Sequence, residues 1–140
     1  MDTKTIRIAV IGAGNMGGAI VKGIAKGTVI RPEHITVSDI SDNLLLQLKD
    51  SEPLLNTSGS NTSAIEAADI ILIAVKPWLV GVIADEIRKK VNYKKQMIVS
   101  IAAGVDFKAL SGLFSDEAVI FRVIPNTAIE VRESVSVISS

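Results

Sequence analysis

The residues of this 140-residue chain best suited to chemistry lie near its start, where Gly12, Gly14 and Gly17 form a G-x-G-x-x-G pattern. An apolar run, Ile6-Arg7-Ile8-Ala9-Val10-Ile11, precedes them, and Ala19 to Ala25 continues with helical spacing. Between a strand and a helix, such glycines have three uses: Gly12 permits a tight turn, Gly14 lets the backbone approach a pyrophosphate, and Gly17 lets the helix pack close to the strand. The unpaired N–H groups that open the helix, together with its dipole, then favour a phosphate. Ile11, Gly12, Ala13, Gly14, Asn15, Met16 and Gly17 are therefore candidates for dinucleotide binding. A plain glycine turn would use the same letters; the position directly after a clean strand favours the dinucleotide.

A second signal lies 22 residues beyond Gly17, at Asp39. That is close to the ~20-residue spacing at which an acidic side chain accepts hydrogen bonds from the adenine ribose. A carboxylate there repels a 2′-phosphate, Asp42 adds a second negative charge, and no arginine lies in Ser38–Asn43 to neutralise one. The spacing thus favours NADH slightly over NADPH. Two observations pull the other way: Asp39 also suits an ordinary turn, and the small hydroxyl of Ser38 could serve a phosphate.

Other chemistries are excluded by composition. There are no cysteines, hence no disulfide, thiolate metal site or cysteine nucleophile, which is compatible with a cytoplasmic protein. The lone histidine, His34, sits in a polar Arg31-Pro32-Glu33-His34 turn and reads as a solvated loop residue, so no metal site is expected. Lys and Arg total 15, as do Asp and Glu, so the net charge is zero and nothing points to nucleic acid. No apolar run approaches the ~18 residues of a membrane span, and Met1-Asp2-Thr3-Lys4 lacks a signal-peptide pattern.

The elements that must position these residues alternate along the chain. Ile6–Ile11 reads as a strand and Asn15–Lys26 as a helix, followed by a strand at Ile35–Ser38 and a helix from Ser41, its N-cap, to about Asp50. Leu54-Leu55-Asn56 reads as a weak third strand, and Asn61 or Thr62 opens a helix over Ser63–Ala68. Strands at Ile70–Val75, Met97–Ile101, Ala118–Val123 and Ser134–Ile138 alternate with helices at Val80–Lys90 and Phe107–Leu113, the latter capped by Asp106. A mean hydropathy of +0.41 suits parallel strands buried on both faces. The expected fold is a single α/β domain with a doubly wound, mainly parallel sheet of the Rossmann type.

Four segments carry a more specific resemblance: Ile11-Gly12-Ala13-Gly14-Asn15-Met16-Gly17, Ala74-Val75-Lys76-Pro77, Val99-Ser100-Ile101-Ala102-Ala103-Gly104-Val105 and Arg122-Val123-Ile124-Pro125-Asn126-Thr127. In this order and spacing the chain resembles the N-terminal domain of the pyrroline-5-carboxylate reductases along essentially its whole length. The resemblance implies reduction of 1-pyrroline-5-carboxylate to L-proline with NADPH or NADH, this chain being the cofactor-binding half. It also implies that a C-terminal helical domain, which builds the dimer and most of the substrate pocket, lies outside residues 1–140; the proton donor would lie there too.

By the same resemblance Ala74, Val75, Lys76 and Pro77 flank the cofactor ribose and phosphates, Ala102, Ala103 and Gly104 line the nicotinamide, and Asn126 and Thr127 face the substrate. Asn61 matches an asparagine near the adenosine. Each has a plainer reading: Pro77 ends a strand beside a solvated Lys76, Ala102–Gly104 is a loop before a helix cap, Asn126 forms a turn, and Asn61 caps a helix. The sequence departs from the family's P-N-T-P-A form by carrying Ala128 and then Glu130-Val131-Arg132-Glu133. Two other readings stay open: a different Rossmann reductase, of the β-hydroxyacid dehydrogenase or deazaflavin-linked type, and a stand-alone NAD(P)-binding sensor.

Overall fold

The computed structural model describes residues 5–124 and 137–139. These residues form a seven-stranded sheet: β1 (Ile8–Ile11), β2 (Ile35–Ser38), β3 (Asn56–Ser58), β4 (Ile70–Ile73), β5 (Met97–Ser100), β6 (Val119–Ile124) and β7 (Val137–Ser139). Their order is β3-β2-β1-β4-β5-β6-β7. The first six are parallel; β7 returns antiparallel to β6, pairing Val123 with Ile138. The direction in which successive strands are added reverses between β1 and β4, which are parallel neighbours in register from Ile8↔Ile70 to Ile11↔Ile73.

Among the described residues five α-helices cover the two faces: α1 (Asn15–Ala25), α2 (Asp42–Ser51), α3 (Asn61–Ile65), α4 (Val80–Ile87) and α5 (Phe107–Ser111). Strand periodicity of two divides the core between them. Ile8 and Val10 join Ile20, Val21, Leu45 and Leu48 on one face, while Ala9 and Ile11 join Ile65, Ala84, Ile87 and Leu110 on the other. Since both faces are covered, β1 is buried at all four positions, which is why it reads as a continuous apolar run. Among the described residues no helix is long and apolar enough to cross a membrane.

Three local expectations are corrected. The third strand begins at Asn56 rather than Leu54; Asn56–Ser58 pairs with Thr36–Ser38, an edge with no apolar alternation to betray it, and Leu55 is buried in the turn before it. The cap of α3 is Ser60, whose hydroxyl accepts from the Ser63 N–H, so Asn61 is the first helical residue and its side chain is released for other partners. His34 belongs to a short 3₁₀ helix (Pro32–His34) and is half-buried, its Nδ1 enclosed without a hydrogen-bond partner. It precedes β2 and so lies at the edge of the sheet opposite the strands' carboxyl ends. The caps expected at Ser41 and Asp106 form, accepting from the Leu44 and Ala109 N–H groups.

The seating of α1 decides how the carboxyl edge is shaped. A Cβ added at Gly17 would lie 2.1 Å from the Gly12 carbonyl oxygen and 3.2 Å from the Ala74 Cβ. Backbone cannot yield as a side chain would, so even one methyl group must push α1 off the sheet. We expect Gly17→Ala to lower the melting temperature by about 5–10 °C, as overpacking of a well-filled core does. A circular-dichroism melt indistinguishable from that of the native chain would show that α1 does not depend on this contact.

Candidate cofactor-binding site

Loops that follow β1, β2, β4 and β5 converge at the carboxyl edge and border a cavity of about 350 Å³. The first loop brings Gly12, Gly14, Asn15 and Met16, the second Asp39, the third Ala74, Val75, Lys76 and Pro77, and the fourth Ala102 and Ala103. Eleven of the residues singled out in the sequence thus border one space, at the point where the direction of strand order reverses. Open α/β sheets bind their ligands there, because the loops on either side diverge and leave a crevice.

The remaining candidates among the described residues do not border that cavity. Ile11, Ala13 and Gly17 are buried, and Gly104, at φ +81°, is exposed beyond the cavity's border. Ser38 is fully buried, and its hydroxyl donates to the Asn61 Oδ1 at 2.6 Å. The Asn61 amide in turn donates to Glu86 Oε2 at 3.2 Å. In this arrangement the Ser38 hydroxyl is already committed and Asn61 links β2 to α4. Asn126 and Thr127 lie outside the described residues.

The three glycines separate by what surrounds them. Gly12 has φ +110°, and a Cβ there would meet the Ala74 carbonyl oxygen at 2.6 Å, so both backbone and space demand glycine. Gly17 is confined as described above. Gly14 has φ −71°, and a Cβ there would have nothing within 4 Å. Neither crowding nor a positive φ demands glycine at 14, where the backbone stands open to approach.

Gly14 is also the N-cap of α1, which has no capping side chain and no acidic residue in its first turn. The first N–H groups of a helix have no intrahelical partner. Here they open beside the cavity with the positive end of the dipole behind them, which fits a dinucleotide pyrophosphate. Lys76, exposed at the mouth, adds a cation, and Asp39 adds the one carboxylate on the border among the described residues. Both Asp39 oxygens accept backbone hydrogen bonds, Oδ2 from Ala13 and Oδ1 from Ser41, each at 2.8 Å.

Three apolar neighbours of the cavity were not anticipated: Leu44 on α2, Leu79 in a 3₁₀ helix (Pro77–Leu79), and Ile101. Ile101 was legible from its place directly before Ala102. Leu44 and Leu79 carry no chemical signal and are indistinguishable in sequence from other amphipathic positions.

Residues 7–104 match the family model described as NADP oxidoreductase, coenzyme F420-dependent. The chain belongs to this family. It is also similar to curated pyrroline-5-carboxylate reductases. That of Methanosarcina acetivorans is 31% identical over 93% of this chain and 47% of its own length. That of Escherichia coli is 36% identical over 86% of this chain and 44% of its own. Among solved structures, the Plasmodium falciparum pyrroline carboxylate reductase with NADP bound superposes with a TM-score of 0.86 at 28% identity, covering 99% of this chain and 49% of that one. The chain thus spans about half the length of the curated relatives it matches.

These geometries make Gly14 separable from Gly12 and Gly17. Gly14→Val should weaken NADH binding at least about 100-fold, because its side chain occupies the phosphate's approach. Its melting temperature should stay within about 2 °C of native, the site being open. Cofactor-fluorescence titration and thermal melting of the same samples provide both readings; binding that survives would move the phosphate site elsewhere.

Proposed function

We propose that this chain is the dinucleotide-binding half of a reductase that converts 1-pyrroline-5-carboxylate to L-proline with a reduced nicotinamide cofactor. The observation that carries the binding is the open space at Gly14 beside the uncapped start of α1. The names of the curated relatives supply the substrate. When bound, the dihydronicotinamide supplies a hydride to the imine carbon of the substrate. A protonated imine is already electrophilic, so the protein's task is to position and to exclude water rather than to provide a nucleophile.

In this reading the α1 N-terminus holds the pyrophosphate, Lys76 lies beside the ribose and phosphates, and Ala102, Ala103 and Gly104 offer small side chains against a planar nicotinamide. Asn126 and Thr127 face the imine. A helical half beyond these 140 residues would close the substrate pocket, supply the proton donor and carry dimerisation, leaving this segment monomeric in a cytoplasmic enzyme.

The reading extends to the cofactor's 2′ position. Asp39 stands at the end of β2, where a carboxylate accepts from an unphosphorylated ribose and repels a phosphate. We therefore expect NADH to bind more tightly than NADPH, in contrast to the NADP named for the family and for the Plasmodium structure. Calorimetric titration at one ionic strength tests it, with Asp39→Ser expected to narrow the gap. Tighter binding of NADPH by the native chain would reverse the assignment.

The family's description favours a second reading, hydride exchange between NADP and a reduced deazaflavin. Two assays discriminate. The chain joined to its helical half should oxidise NADH or NADPH on addition of 1-pyrroline-5-carboxylate, whereas residues 1–140 alone should bind cofactor without turnover. Cofactor oxidation driven by coenzyme F420 and not by the imine would favour the deazaflavin reading, and turnover by residues 1–140 alone would misplace the substrate site.

A further inference from the structure

Asp39 is the only side chain among the described residues shown accepting hydrogen bonds from the loops after both β1 and β2. Its Oδ2 takes the N–H of Ala13, 26 positions away inside the glycine loop, and its Oδ1 takes the N–H of Ser41, each at 2.8 Å. The adjoining residue reinforces the link, since the Ser38 carbonyl accepts from the Gly12 N–H at 2.9 Å. Successive N–H groups of the glycine loop are thus bound by Ser38, the last residue of β2, and by Asp39, which follows it. The N–H groups that remain, from Gly14 onward, belong to the start of α1 at the edge of the cavity.

We infer that Asp39 is a positioning residue for the phosphate loop, holding Ala13 so that the start of α1 is preset to receive a pyrophosphate. The inference rests on the dinucleotide reading above and adds a role that does not pass through the ribose. The two roles are compatible, because each carboxylate oxygen keeps a second lone pair for a hydroxyl. Preordering lowers the cost of binding, since a loop already held loses little freedom when the ligand arrives.

The role has a consequence opposite in sign to that of simple charge. Removing a negative charge near a phosphate site should strengthen anion binding by relieving repulsion. If Asp39 instead holds the loop, Asp39→Asn should weaken it: the amide keeps one acceptor oxygen and turns an NH₂ group toward the other backbone N–H. A ribose-only role predicts a third result, no change for a nucleotide lacking ribose hydroxyls.

Calorimetric titration of the native chain and Asp39→Asn with ADP and with 2′,3′-dideoxy-ADP separates these outcomes. We expect Asp39→Asn to bind 2′,3′-dideoxy-ADP about tenfold more weakly, the loss of one charge-assisted hydrogen bond. Unchanged or tighter binding of that ligand would overturn the inference. Amide hydrogen exchange of the unliganded native chain gives a reading that needs no variant. The Ala13 amide should exchange far more slowly than that of Gly14, and equal rates would also overturn the inference. Failure of the native chain to bind ADP at all would overturn the dinucleotide reading itself, and this inference with it.

Discussion

Backbone-to-backbone contact at the start of α1 is the constraint on which the carboxyl edge of this molecule depends. Gly12 lies against the Ala74 carbonyl, and Gly17 lies against Gly12, leaving no room for a single Cβ at either place. That closeness lets β1 turn into α1 within three residues, 12–14, while β4 runs alongside. The helix cannot gain the same seat with side chains in between. Glycine costs an α-helix about 1 kcal/mol relative to alanine at each interior position. In α1 that cost is borne at Gly17, Gly18 and Gly23, all buried. At Gly17, close approach is the direct return.

From this contact the remainder of the site follows by topology. Parallel strands with helices on both faces send all their carboxyl ends to one edge, so the loops after β1, β2, β4 and β5 meet there though they are distant in sequence. The loops are then linked by polar groups. Asp39 spans two of them, while Ser38, Asn61 and Glu86 connect β2 through α3 to α4. A buried hydroxyl such as Ser38 is tolerable because it has a partner; left unpaired it would cost roughly 1–3 kcal/mol. Gln96 works in the same way at the opposite edge. It is buried, donates to the carbonyls of Ile65 and Ala68 where α3 ends, and accepts from the Asn92 N–H.

The three glycines of the motif differ in what surrounds them. Two of the three are explained by what they touch. At the third, a Cβ would meet nothing within 4 Å, so neither crowding nor a positive φ demands glycine there. Such an asymmetry cannot be read from the letters G-x-G-x-x-G, which are the same whether the turn is merely tight or is also a phosphate site.

What the sequence determined by itself was local in origin. Apolar runs located β1, β4 and β5, because strands covered on both faces need no polar alternation. Ser41 and Asp106 were legible as caps because capping joins residues three apart, and Asp39 was found by its spacing from Gly17. The tertiary structure alone decided which groups these residues would meet. Asn56–Ser58 is a strand only because β2 lies beside it. Ser60 rather than Asn61 caps α3, and Asn61 reaches across to Ser38. The Asp39 carboxylate engages the glycine loop, a pairing across 26 positions. Local pattern sets the conformation of a segment, but the partner of a hydrogen bond between distant residues exists only once the chain has crossed over and brought the two strands side by side.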